Sequence, residues 1–119
     1  MGGVVNLSDV PMASVTELPA DRFSLLDVRE HDEWAAGHAP EAVHIPLGDL
    51  PARLDELATL PEDQPLYVVC RTGGRSAQAA AWLNANGWDA VNVAGGMKSW
   101  HTEGRPLVSD HEGADPEVL

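Results

Sequence analysis

The chain has 119 residues, of which 44% are apolar and 22% charged, as in an ordinary globular domain. Its 19 acidic residues against 7 lysines and arginines give a formal net charge of −12. Nucleic-acid backbones and anionic membrane surfaces attract positive charge, so this balance argues against both as partners. No apolar run approaches the roughly 20 residues that a membrane-spanning helix needs.

The chain contains a single cysteine, Cys70, so no internal disulfide can form. We therefore expect a reducing, cytoplasmic location. We also expect a flexible leader over residues 1–8 and one folded domain over 9–106. The segment 107–119 is acidic, with four acids and no base after Val108. Such a composition predicts a mobile tail.

Short apolar runs alternate with helix-like stretches, which is typical of an α/β fold with a largely parallel sheet. Pro11 favours an edge position for the first strand. Ser14 and Glu17 have the spacing of a capping box. The predicted strands cover residues 10–13, 23–28, 42–45, 66–69 and 90–93. The predicted helices cover residues 30–36, 47–60, 76–86 and 97–102, besides a short one after Ser14.

Cys70 follows the most strand-like run of the chain and precedes a turn with two glycines and two arginines. The carboxyl ends of parallel strands are where open α/β sheets bind ligands. A glycine-rich turn into a helix can direct several amide N–H groups at one point, which favours an anion. We expect these surroundings to stabilise a reactive thiolate at Cys70. The anion-binding residues are predicted to be Arg71, Thr72, Gly73, Gly74, Arg75 and Ser76.

A buried and inert cysteine is the alternative interpretation, since free cysteines are commonly buried. It fits Cys70 poorly, because a core residue does not require a charged, glycine-rich turn directly after it. With no second cysteine in the chain, any group that Cys70 acquires must leave to another molecule.

The chain resembles single-domain rhodaneses in four segments that occur in the family's order and spacing. These segments are LLDVRE at 25–30, GHAPEA at 37–42 with Ile45-Pro46, VCRTGGRS at 69–76, and Gly95-Gly96-Met97 followed by Trp100. The resemblance implies a rhodanese-like α/β fold, with a five-stranded, mainly parallel sheet and helices on both faces. One residue departs from the family pattern: Glu41 stands where glycine is usual, which puts the local turn in question but not the chemistry.

The resemblance also implies a thiosulfate sulfurtransferase in which Cys70 cycles between thiolate and persulfide. Sulfane sulfur would come from a small anionic donor such as thiosulfate, or mercaptopyruvate, and pass to cyanide, a small thiol or a protein thiol. Arg71 and Arg75 would help hold the donor. No cofactor is implied.

Asp27, Arg29 and His38 are candidates for supporting roles. We expect Asp27 and Arg29 to tie loops together, and His38 to hold the turn at Pro40, because an ionised nucleophile needs no general base. The five histidines lack the spacing of metal ligands, so no metal site is predicted.

Two other functions remain open. Cysteine phosphatases and arsenate reductases also use a cysteine and an arginine in an anion-binding loop, but phosphatases generally place five residues between them. Only four separate Cys70 from Arg75, and the tighter loop suits one sulfur atom better than a tetrahedral phosphate. A persulfide carrier that delivers sulfur to one partner protein without turnover would use the same loop.

Overall fold

The computed structural model describes residues 9–20 and 22–119, so the leader predicted over residues 1–8 lies outside the described residues. Five strands form one parallel sheet in the order β1-β5-β4-β2-β3. The strands are β1 (Met12–Ser14), β2 (Ser24–Asp27), β3 (Val43–His44), β4 (Leu66–Val69) and β5 (Ala90–Ala94). The five-stranded parallel sheet implied by the resemblance is thus confirmed.

The described residues form three α-helices: α1 (His31–Ala36) between β2 and β3, α2 (Gly74–Ala85) between β4 and β5, and α3 (Gly96–Thr102) after β5. Residues Val15–Glu17, Leu47–Asp49 and Leu54–Thr59 form 3₁₀ helices. The expected edge position of β1 is confirmed, and the Ser14 amide donates to the Glu17 carboxylate at 2.7 Å, as expected of the capping box. Among the described residues, no helix is long and apolar enough to cross a membrane.

The single helix predicted over residues 47–60 is wrong. Two 3₁₀ segments with turns between them replace it. Gly48 and Pro51 interrupt the stretch, and both disfavour a continuous α-helix. Leu50 and Leu57 are nevertheless buried, so the leucine spacing correctly identified the face that packs on the sheet.

The sheet separates two apolar clusters because neighbouring residues of each strand point to opposite faces. Leu26 and Val68 face α2 and pack with Ala79, Ala80 and Leu83. The second cluster lies on the α3 face and comprises Val15, Leu18, Leu25, Ala39, Val69, Val93, Met97 and Trp100. Strands buried on both faces explain the near-continuous apolar runs in the sequence.

The segment 107–119 returns to the domain and makes backbone hydrogen bonds beside α1. His38 and Val108 pair as an isolated antiparallel bridge, and the Glu117 amide donates to the Ala36 carbonyl at 2.9 Å. Leu107 and Val118 pack against the α3-face cluster. The few apolar residues of the segment thus have partners in the domain, which its acidic composition does not reveal. Its mobility stays a prediction.

Candidate active site

Cys70 lies directly after β4, at the carboxyl end of a central strand, and its side chain is buried (1% exposed). The Gly73 amide donates a hydrogen bond to the Cys70 sulfur at 3.1 Å, and the Ser76 hydroxyl lies 3.3 Å from it. Gly73 has φ = 126°, a conformation that residues with a side chain rarely adopt. The glycine therefore permits the turn that aims this amide at the sulfur.

Burial acts to raise the pKa of the Cys70 thiol. Hydrogen bonds from the Ser76 hydroxyl and from the backbone amides of Ser76, Gly73 and Thr72 outweigh it, so this pKa lies below its ordinary value. This direction agrees with the thiolate-stabilising surroundings expected from the sequence, and its cause is hydrogen bonding within the loop. A sulfur that is ionised more readily is a better candidate nucleophile near neutral pH.

The backbone of the Cys70 loop is fixed from behind by the first turn of α3. The Met97 amide donates to the Cys70 carbonyl at 2.8 Å, and the Lys98 amide to the Arg71 carbonyl at 3.0 Å. Gly96 lies against the same two carbonyls, and a Cβ there would overlap both. Gly96 is therefore required by the close approach of α3 to the loop, whereas a Cβ at Gly95 would overlap the Ser99 side chain of α3 itself.

Arg75, predicted to bind the donor, makes a bidentate ion pair with Glu33 of α1, at 2.6 and 2.8 Å. The pair raises the pKa of the Arg75 guanidinium above its ordinary value. The hydrogen bonds from Arg75 lower the pKa of Glu33 to about 2, against the opposing effect of burial. Sequence reasoning missed Glu33. Arg75 lies 42 residues further along the chain, and no local pattern around Glu33 indicates that the two side chains pair.

Glu33→Gln should therefore change the pH dependence of stability. Because the Glu33 pKa is lowered in the folded protein, its contribution is complete above the ordinary value of 4.5 and disappears as the pH falls to about 2. We expect E33Q to be less stable than wild type at pH 6 and equally stable near pH 2. Urea unfolding at both pH values measures this, and an equal loss at the two values would contradict it.

Arg71 and Thr72 are exposed, and the Arg71 Nε donates to the Leu119 carbonyl at 2.7 Å. Gly74 is the first residue of α2, and a Cβ there would meet nothing within 4 Å. The predicted anion-binding residues thus form one loop around Cys70, with Arg71 at its surface and Ser76 in its interior. Their role in binding a donor stays a prediction.

Asn92 of β5 is a further residue of the site that sequence reasoning missed. It is buried (3% exposed), its amide nitrogen donates to the Gly73 carbonyl at 3.2 Å, and its carbonyl oxygen accepts from the Ser76 hydroxyl at 2.6 Å. The available signal was a polar residue between two valines in a strand expected to be buried, since buried polar groups need hydrogen-bond partners.

Asp27 and Arg29 form a buried ion pair at the end of β2, both 0% exposed. Arg29 also donates to the carbonyls of Glu33 and Gly37, which ties β2 to α1. The role of the pair in tying loops together stays a prediction.

His38 stacks on Trp34 with ring centroids 3.7 Å apart, and its Nδ1 lies 2.8 Å from the Trp34 carbonyl oxygen. Its Nε2 lies 3.8 Å from the Asp110 carboxylate. These contacts connect the His38 loop to α1 and to the segment 107–119, and the role of His38 in holding the turn at Pro40 stays a prediction. Among residues 9–20 and 22–119, no group of histidine, cysteine and carboxylate side chains has the arrangement of a metal site.

Comparison with known proteins agrees with this geometry. A family model described as "Rhodanese-like domain" matches residues 13–103. The Bacillus subtilis "Putative sulfurtransferase YtwF" is 38% identical, over 86% of this chain and 98% of its own length. The "Putative sulfur carrier protein YrkF" of the same organism is 36% identical, over 80% of this chain and 53% of its own length.

The solved structure of a rhodanese-like domain protein from Staphylococcus aureus is 36% identical and superimposes with a TM-score of 0.71. The match covers 86% of this chain and all of that one. The family match over most of the sheet, together with these relatives, supports a role in sulfur transfer of the rhodanese type. With the Cys70 loop at the carboxyl end of β4 and the shared five-stranded sheet, the chain belongs to the rhodanese-like family.

Proposed function

We propose that the protein is a thiosulfate sulfurtransferase that carries sulfane sulfur as a Cys70 persulfide. The observation that carries the proposal is the pair of hydrogen-bond donors at the Cys70 sulfur, from Gly73 and Ser76. Both donors point at the sulfur atom that carries the negative charge of the thiolate, so they stabilise the reactive form. The loop that supplies them follows the carboxyl end of a parallel strand, where α/β sheets bind ligands.

The reaction needs no oxidant or cofactor. The Cys70 thiolate attacks the outer sulfur of thiosulfate, the donor's S–S bond breaks, and sulfite leaves with the electron pair. A new bond joins the Cys70 sulfur to the transferred sulfur. An acceptor thiolate or cyanide then attacks the transferred sulfur, and the electron pair of the breaking bond returns to Cys70 as thiolate.

The two arginines of the loop have different environments, which bears on donor binding. The Arg75 charge is compensated by the Glu33 side chain, whereas Arg71 is exposed and its Nε donates to the Leu119 carbonyl but makes no ion pair with an acidic side chain among the described residues. We infer that Arg71 contributes most of the attraction for an anionic donor, and that Arg75 fixes the loop. A carboxylate donor such as mercaptopyruvate would use the same guanidinium.

Intact mass spectrometry after thiosulfate treatment tests the proposal. Wild type should gain the mass of one sulfur atom and lose it on addition of cyanide, with thiocyanate released. Cys70→Ser should gain nothing while keeping its circular dichroism spectrum. A folded wild-type protein that gains no sulfur would contradict the proposed donor, and sulfur gain by Cys70→Ser would contradict the proposed nucleophile.

A carrier without turnover is the second candidate, and it is favoured by the likeness to the relative named as a sulfur carrier. Repeated thiocyanate release from excess thiosulfate and cyanide indicates an enzyme, whereas a single loading event that only a protein acceptor discharges indicates a carrier. Phosphatase activity is disfavoured by the Glu33–Arg75 pair, which occupies the guanidinium that would bind phosphate. A cytoplasmic location stays a prediction from the sequence.

A further inference from the structure

The Ser76 hydroxyl lies within reach of two acceptors but carries one hydrogen. The Asn92 carbonyl oxygen is 2.6 Å from it, and the Cys70 sulfur is 3.3 Å from it. A serine hydroxyl donates only one hydrogen bond at a time. The two acceptors therefore compete for the same hydrogen.

The orientation of the Asn92 amide is determined by its other contact. Its nitrogen donates to the Gly73 carbonyl at 3.2 Å, so exchanging the nitrogen and the oxygen would place two acceptors against each other. The Asn92 oxygen consequently points at Ser76. All three groups are buried, with Ser76 at 0% and Asn92 at 3% exposure, so water does not replace a lost hydrogen bond easily.

We propose that Asn92 is a positioning residue that controls the nucleophilicity of Cys70 by competing for the hydrogen of the Ser76 hydroxyl. When Cys70 is a neutral thiol, Ser76 donates to Asn92. When Cys70 is a thiolate, the same hydrogen turns to the sulfur and the Asn92 oxygen loses its donor. This inference rests on the proposed function for its role in sulfur transfer.

The competition has a consequence for the persulfide. In a persulfide the negative charge lies on the outer sulfur, and the Cys70 sulfur itself is no longer anionic. The Ser76 hydrogen can then return to Asn92, which regains its partner. The Ser76–Asn92 bond thus favours the persulfide form over the free thiolate. Because strong hydrogen bonding makes a thiolate less nucleophilic, competition from Asn92 also keeps the Cys70 thiolate more reactive.

A double-mutant cycle with Asn92→Leu and Ser76→Ala tests this proposal. Leucine has the branched shape and the four side-chain heavy atoms of asparagine, but neither the acceptor for Ser76 nor the donor to the Gly73 carbonyl. The readout is the rate of iodoacetamide alkylation against pH, which gives the thiol pKa and requires no sulfur transfer. Ser76→Ala should raise the Cys70 pKa, because it removes a donor to the thiolate.

Asn92→Leu should lower the Cys70 pKa by about half to one unit when Ser76 is present, which is about three- to tenfold in thiolate fraction below the pKa. In the Ser76→Ala background the same change should leave the pKa unaltered. An equal shift in both backgrounds, no shift, or an upward shift beside Ser76 would overturn the proposal. If Asn92→Leu fails to fold, Asn92→Ala gives the same comparison with a smaller side chain.

The charged side chains around the loop are common to all four proteins of the cycle. They are Arg71, Arg75 with Glu33 and Glu30 on the α1 side, and Lys98 at the start of α3. Differences between the variants therefore report on the hydroxyl and not on these charges.

Mass spectrometry of the same samples after thiosulfate treatment separates the two proposals. If the Cys70 pKa values from alkylation change as the double-mutant cycle predicts but the protein takes up no sulfur, only the proposed function is contradicted. If the protein takes up sulfur but the pKa values do not change as predicted, only the role of Asn92 is contradicted.

Discussion

Asp27→Asn is expected to lower the free energy of unfolding by about 3–5 kcal/mol. The substitution leaves the Arg29 guanidinium buried at 0% exposure without its carboxylate partner. Three hydrogen bonds from the Arg29 side chain to Asp27, the shortest 2.7 Å, would be weakened or lost. Because typical domains are stable by only about 5–15 kcal/mol, urea unfolding at pH 7 should show a large fall in midpoint.

Glu56→Gln is the matched control for this prediction. Its ion pair with Arg53 has the same short distance, 2.7 Å, but the two side chains are 34% and 44% exposed and lie three residues apart. Exposed pairs of this kind contribute little because water and side-chain entropy offset the attraction. We expect a barely altered unfolding midpoint. Similar losses in the two variants would show that burial does not determine the effect at Asp27.

Gly96→Ala should destabilise the fold and disable the Cys70 loop together. Gly96 has φ = 58°, and its added Cβ would overlap the carbonyl oxygens of Cys70 and Arg71, which are backbone atoms that cannot move aside cheaply. Strain in the left-handed region alone costs about 1–2 kcal/mol. With the overlap added, we expect a loss of more than about 2 kcal/mol in urea unfolding. Sulfur loading should also fall, as measured by intact mass.

Gly104→Ala is the control that separates the strain of a positive φ from the steric overlap with the loop. Gly104 also has a positive φ, 77°, but a Cβ there would meet nothing within 4 Å. We expect only the conformational cost, about 1 kcal/mol, and unchanged sulfur loading. A Gly96→Ala protein that loads sulfur like Gly104→Ala would refute the role assigned to α3 in holding the loop.

The order and type of the main elements could be predicted because each leaves a local pattern. The strand Leu66–Val69 was located to the residue, since its apolar run is bounded by polar residues on one side and by the Cys70 turn on the other. The segment 47–60 could not be predicted correctly from leucine spacing alone. Helical spacing and a chain of 3₁₀ turns place apolar residues on one face in similar ways.

The position of the candidate site could also be read from the sequence, but its internal partners could not. Cys70 and the loop 71–76 are contiguous, so their proximity follows from the chain itself. Glu33 and Asn92 reach the loop from other elements, and their contacts depend on side-chain directions across the sheet and between helices. The same holds for the acidic segment 107–119, where backbone pairing and a few apolar contacts decide its path.

The attachment of α3 to the Cys70 loop bears on the energetics of substrate capture. Because the Met97 and Lys98 amides already bind the loop carbonyls, the loop has its shape before any donor arrives. Ordering the loop therefore costs little free energy when a donor binds, and more of the binding free energy can stabilise the reacting sulfur. Gly96, which permits this close approach of α3, thus contributes preorganisation to a reaction at a sulfur atom that it does not contact.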